Sequence, residues 1–341
     1  MKTLRDVRLS VLDLSPIVEG GTVAESFRNS VDLARHVEAL GYTRFWLAEH
    51  HNIPGIASAA TSVLIGHVAG GTKTIRVGSG GVMLPNHAPL VIAEQFGTLE
   101  ALYPGRIDLG LGRAPGTDQT TSRALRRDIN AADDFPDQVQ ELMMLLGRPN
   151  PAQRVKAIPG ANSHVPAWLL GSSTFSARLA ALLGLPFAFA AHFAPRLLFE
   201  ALEIYRSNFQ PTDRQPEPYA MVGVPVIAAE SDEEARFLST SVQQQILNLI
   251  RHAPTPVPPP IASMDGRWSA AEKNAVHEHL GAAVIGGPET VREKLEKIVE
   301  ATQADELMIH SGFYRHENRK RSYEIVAEVA GLKEAAEVAR P

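Results

Sequence analysis

Three short stretches of this chain carry residue types that do chemistry: Gly171-Ser172-Ser173-Thr174-Phe175-Ser176, Gly78-Ser79-Gly80-Gly81 and Glu49-His50-His51. In the first, a strand gives way to a helix whose opening turn exposes free N–H groups and the positive end of its dipole, an arrangement that attracts anions. Ser173 and Ser176 offer hydroxyls on that turn, and Gly171 and Ser172 lead into it. Arg113, from the end of the neighbouring strand, supplies a charged fork suited to phosphate. The plainer reading is that a serine at a helix start is only an N-cap. The glycine run weakens a strand, so a bulge, a close backbone approach to a flat ligand or a tight barrel corner must compensate. In Glu49-His50-His51, adjacent residues of an extended chain point opposite ways, so one imidazole faces inward. It serves either as a proton donor or acceptor or as a hydrogen-bonded packing residue. A metal would need a third convergent ligand, and His277-Glu278-His279 lacks the His-Glu-x-x-His spacing. With no cysteine in the chain, thiolate nucleophiles, disulfides, Cys-ligated zinc and Cys-held iron–sulfur clusters are excluded.

Short β-branched runs alternate with longer segments of helical period, the pattern of βα units around a parallel sheet. Strands are expected near 8–14, 42–48, 75–83, 106–111, 167–170, 187–190, 219–228 and 306–310. The expected helices span about 23–40, 58–69, 89–102, 133–146, 174–183, 195–209, a segment opened by a capping box at Ser231 and Glu234, 288–301 and 318–336. Eight such units fit a closed (β/α)8 barrel in one domain, 1–341, whose active site lies at the C-terminal ends of the strands. The segment 252–287, with PTPVPPP and a short helix from about Ser269 to Leu280, breaks the pattern and reads as an insertion after helix seven. An open doubly wound sheet would want Gly-x-Gly-x-x-Gly after its first strand. The nearest candidate, Gly110 to Gly116, follows strand four and has Pro115 where the third glycine belongs.

The 33 basic against 38 acidic residues leave a net charge of −5, which argues against a nucleic-acid partner. No apolar run reaches the roughly 18 residues of a membrane span, and the N-terminus, MKTLRDVRLS, has charges where a signal peptide needs its apolar run. A cytoplasmic protein is expected.

Taken in order, YTRFWLAEHHN, ASAATSVLIGH, VGSGGVMLPNHAPLVIAEQFGTLEALYPGRIDLGLGRAPGTD, PAWLLGSSTFSARLAALLGLPFAFA and TQADELMIHSGFYRHENRKRSYEIVAEV resemble the luciferase-like monooxygenase family, the flavin-dependent barrel enzymes that include bacterial luciferase. The likeness covers nearly the whole chain, and YPGRIDLGLGRAPG is its most specific part. It implies a (β/α)8 barrel that binds reduced FMN at its mouth and uses it to activate oxygen. On that likeness Arg113 and Arg123 match phosphate-contacting arginines, and Ser173 and Ser176 match phosphate positions. Ser172 stands where luciferase has an acid, and Gly112 where it has a reactive cysteine. His50 matches the histidine near the flavin ring implicated in proton transfer. Gly80 and Gly81 match two small residues joined by a non-prolyl cis peptide beside the ring. The 252–287 insertion falls where the family carries a mobile active-site loop, so a lid is expected there. Family members commonly pair through the helices after strands two and three, which implies a homodimer.

The expectation is therefore a flavin-dependent monooxygenase acting on a small organic substrate, with reduced FMN supplied by a separate NAD(P)H:flavin reductase. The missing dinucleotide fingerprint fits reduction elsewhere. Its rivals are a deazaflavin-dependent hydride-transfer enzyme and a non-catalytic flavin-binding protein.

Overall fold

The computed structural model describes residues 2–127, 133–191 and 195–332. All eight expected strands form. In chain order, β1 (Arg8–Asp13) is followed by α1 (Val23–Ala39), β2 (Arg44–Leu47), α2 (Thr61–Gly71), β3 (Arg76–Met83), α3 (Pro89–Leu102) and β4 (Ile107–Gly112). Then come α4 (Gln119–Ala124), α5 (Phe135–Leu146), β5 (Ala167–Gly171), α6 (Thr174–Leu183), β6 (Phe187–Phe189), α7 (Leu198–Asn208), β7 (Ala220–Ala228) and α8 (Asp232–Ile250). The chain continues through α9 (Ala270–His279), β8 (Val284–Gly286), α10 (Pro288–Thr302), β9 (Glu306–His310) and α11 (His316–Ala330). β1 to β7 pair in sequence, all parallel, and β9 pairs with both β7 and β1, so the sheet closes into a (β/α)8 barrel.

Local chemistry explains most element ends. Thr22 and Glu25 form a reciprocal capping box on α1. Ser231 accepts the Glu234 N–H as expected, but the Glu234 carboxylate reaches the Glu230 N–H instead of that of Ser231. The helix expected from Ser58 starts at Thr61, and α11 closes at Gly331 in the left-handed conformation. Its expected continuation to Ala336 falls largely outside the described residues.

The 252–287 segment is more ordered than an irregular insertion. Its β8 extends the C-terminal end of β7, outside the ring, and α9 packs Val276 with Met264 on Ile246 and Leu247 of α8. Val257 exchanges backbone hydrogen bonds with Ile17 and Glu19, tying the segment to the loop after β1.

Strand alternation fills the barrel in layers. At the N-terminal end, Arg44 donates to Asp108 at 2.8 Å and to Glu306 at 3.0 Å, in a plug completed by Arg76, Trp46, Tyr219 and Ser10. Such charges are tolerated in a dry interior because each is partnered. Above it, Leu12, Trp46, Trp168, Met221 and Met308 form an apolar layer. One end is thus sealed, and the C-terminal mouth is where a ligand can enter.

Candidate active site

β3, β4 and β5 each end in residues that open a cavity at this mouth. Gly80, Gly81, Gly112, Arg113, Gly171, Ser172, Ser173 and Ser176 all line it, above a floor that includes Leu12, Trp46, Met221 and Met308. Seven of the nine expected site residues are therefore part of one surface: Gly80, Gly81, Arg113, Gly171, Ser172, Ser173 and Ser176.

The anion-binding half is built on α6. Ser173 is its N-cap in extended conformation, and its hydroxyl makes no capping bond, so it is not spent on the helix. The N-cap reading of this serine thus describes its backbone position but not the use of its side chain. A Cβ on Gly171 would lie 2.4 Å from the Ser176 hydroxyl, so glycine is what lets the first turn of α6 settle on the end of β5. Arg113 stacks with its guanidinium carbon 4.2 Å from the Phe175 ring centre, and no carboxylate among the described residues lies within ion-pair distance of it. A half-buried arginine with no ion-pair partner among the described residues, beside a helix start that carries two serine hydroxyls, is a donor set for a phosphate.

Two strands away on the same arc of the barrel, across β4, is the glycine run. The pairing of β3 with β4 shifts register between Ser79 and Val82, a bulge at the expected place, and the Gly80–Gly81 peptide is cis. Ser79 compensates for the broken ladder: its hydroxyl donates to Gly110 O at 2.8 Å and accepts from Gly110 N–H at 2.9 Å. Gly80 and Gly81 thus present bare backbone to the cavity, the surface that a flat ring system can approach. These features fit FMN, with a phosphate end at α6 and a flat end at the β3 glycines of one cavity.

Arg123 does not line this cavity. It is exposed on α4, a short helix capped by Asp118. Arg127, which sequence reasoning did not single out, is the arginine packed behind the wall: it donates to the Arg113 carbonyl at 3.0 Å and to Asn86 at 3.4 Å.

His50 is not among the residues that line the cavity. Its Nδ1 sits 3.3 Å from the Gly116 carbonyl, and burial holds its imidazole below the ordinary value. Two further groups were missed. His310 shares the inward face of β9 with Glu306 and Met308, contacts the Leu12 carbonyl through Nδ1 at 3.3 Å, and is pushed down to about 4 by burial. Period-two alternation from Met308 was the signal for it. Glu49 gathers His51 and His87, a convergence that no spacing in the sequence announces.

A model of the luciferase-like monooxygenases matches residues 7–306. The chain belongs to the luciferase-like monooxygenase family. It is 53% identical over 328 residues to a luciferase-like monooxygenase of Escherichia coli (strain K12), covering 96% of this chain and 98% of that protein. Among solved structures it resembles apo-MsnO8, 36% identical with a TM-score of 0.86, covering 96% of this chain and 99% of that one. It also shares its fold with the oxygenating constituent of 3,6-diketocamphane monooxygenase from Pseudomonas putida in complex with FMN. That likeness is 19% identical, has a TM-score of 0.72 and covers 96% and 98% of the two chains. No helix among the described residues is long and apolar enough to cross a membrane.

Proposed function

We propose that this protein is a flavin-dependent monooxygenase that takes reduced FMN at the barrel mouth and acts on a small organic substrate. The observation that carries the reading is one cavity lined by both halves of a flavin site: Arg113, Ser173, Ser176 and the start of α6 at one end, the bare Gly80–Gly81 backbone at the other. Family membership and the presence of FMN on the same fold in the diketocamphane enzyme support it.

Reduced FMN would supply the electrons that activate oxygen for transfer to the substrate. The chain's own residues bind, orient and exclude water. Arg113 and the serines hold the phosphate, while Leu12, Trp46, Met221 and Met308 keep the floor dry, which strengthens every electrostatic interaction inside. His50, whose imidazole burial holds below its ordinary value, is the group that would hold or take a proton near the flavin. The 252–287 segment, tied to Ile17 and Glu19, closes the mouth from the β1 side. Reducing equivalents come from a separate NAD(P)H:flavin reductase. The molecule works as a homodimer through α2 and α3, where Val63 and Leu102 are exposed while Leu64, Ile65 and Val68 already face the barrel.

The test is FMN titration with oxygen uptake. Arg113→Ala removes a charge-assisted contact worth about 1.5–3 kcal/mol, so FMN affinity should fall roughly 10- to 150-fold. Unchanged affinity would overturn the phosphate assignment, and hydride transfer from a reduced deazaflavin without oxygen uptake would overturn the monooxygenase reading.

A further inference from the structure

Directly behind the cavity wall lies a cluster of titratable groups that the proposed function does not use. Glu49 is 1% exposed, and its carboxylate accepts from His51 Nε2 at 2.9 Å, His87 Nε2 at 2.9 Å, Asn86 Nδ2 at 3.1 Å and the Met83 N–H at 3.0 Å. An ionised carboxylate has about four lone-pair sites, and here four donors fill them. Burial alone would raise the Glu49 carboxyl, but the hydrogen bonds from His87, His51 and Met83 outweigh it and hold the group below the usual range. Facing an anion, both imidazoles donate from Nε2.

The donors come from different strand ends: His51 follows β2, Met83 ends β3, and Asn86 and His87 lie in the turn beyond it. Asn86 uses its second N–H on the Pro115 carbonyl at 3.0 Å. The next carbonyl, that of Gly116, accepts the His51 N–H at 3.2 Å and stands 3.3 Å from His50 Nδ1. Gly116 has a positive φ of 65°, and a Cβ there would lie 2.7 Å from the Glu49 carbonyl, so the turn is seated tightly against β2. A carbonyl only accepts. His50 must therefore carry a proton on Nδ1, which leaves the lone pair on Nε2 when the ring is neutral.

We propose that Glu49 is a positioning residue: through His51 and Asn86 it holds the Pro115-Gly116 turn against His50 and so keeps His50 in its Nδ1–H form, with Nε2 as a proton acceptor. The role assigned to Nε2 in turnover rests on the monooxygenase reading; the tautomer itself does not.

Histidine nitrogen NMR on the full chain, without added cofactor, reads the tautomer, with His50→Gln identifying the His50 signals. The parent should show a protonated Nδ1 and an unprotonated Nε2 for His50. In Glu49→Gln, whose amide offers half the acceptor sites and turns N–H groups toward the donors, at least a third of the His50 population should move to the Nε2–H form. Should that variant fail to fold, Asn86→Ala keeps the carboxylate with three donors, cuts the link to Pro115, and should shift the tautomer in the same direction. In oxygen uptake, kcat of the folded variants should drop at least 10-fold with FMN affinity within threefold of the parent. An Nε2–H His50 in the parent, or an unshifted tautomer in a folded Asn86→Ala or Glu49→Gln variant, overturns the proposal. Absence of flavin-dependent oxygen uptake in the parent overturns the functional reading while the NMR result still decides this one.

Discussion

Arg319 on α11 is 2% exposed, and its Nη2 donates to Asp13 at 2.8 Å while its Nε donates to the Ser311 carbonyl at 3.0 Å. Asp13 ends β1, next to the cavity residue Leu12, and also accepts the Ser15 N–H at 2.9 Å. Arg319→Met keeps a side chain of similar length and removes the cation, leaving a carboxylate buried in the barrel rim. Breaking a buried pair in this way costs about 3–5 kcal/mol. Unfolding entropy of about 2.1 cal/mol/K per residue gives about 0.7 kcal/mol/K for 341 residues, so a loss of about 4 kcal/mol lowers Tm by about 6 °C.

The pH dependence carries a sharper signature. In the parent, burial would raise Asp13, but Arg319 and the hydrogen bonds from Ser30 and Ser15 hold it below the ordinary value. Its contribution to stability is therefore present above the unfolded value near 3.9 and lost as pH falls through the folded one. In Arg319→Met, burial prevails and the folded value rises above the unfolded one, so stability declines as pH increases, by up to about 1.4 kcal/mol per unit. Asp13→Asn in the Arg319→Met background removes the buried charge and should recover most of the loss together with the decline toward high pH. His310, which burial and then Arg319 push down to about 4 and Asp13 raises, titrates in both variants, so the Asp13 signature is the difference in slope between single and double variant. Thermal unfolding by circular dichroism between pH 4 and 8 reads all of this. A single variant melting within 2 °C of the parent, with a parallel pH profile, would refute the reasoning.

Gly110→Ala puts a Cβ 2.2 Å from the Ser79 carbonyl, where the β3 bulge is bridged, and should cost about 1–3 kcal/mol in urea unfolding together with weaker FMN binding. His50→Ala should keep its fold and FMN affinity while substrate-dependent oxygenation falls by about 10² to 10⁴; full retention in stopped-flow turnover would make His50 a packing residue. If Val63, 72% exposed, and Leu102, 63% exposed, lie in a dimer interface, Val63→Glu with Leu102→Glu should convert the dimer seen by light scattering at micromolar concentration to a monomer. A monomeric parent would remove the dimer from the reading.

Much of the site was legible because strand ends are local events. Alternation and helix caps locate the C-terminal ends of β3, β4 and β5, and in a barrel those ends meet, so Gly80, Gly81, Arg113, Ser173 and Ser176 could be named from one dimension. The closure of the sheet was legible for the same reason, since eight βα units in series leave β9 only β7 and β1 to pair with. What tertiary structure decided are the pairings between residues far apart in the chain. Arg44 finds Asp108 and Glu306 across the barrel, Asp13 finds Arg319, and Glu49 finds His87. Their charges carry no periodicity, and only burial makes a partner obligatory. Arg123 and Arg127 illustrate the limit: four residues apart on a polar stretch, they are alike in sequence, and it is the course of α4 that exposes one and packs the other behind Arg113.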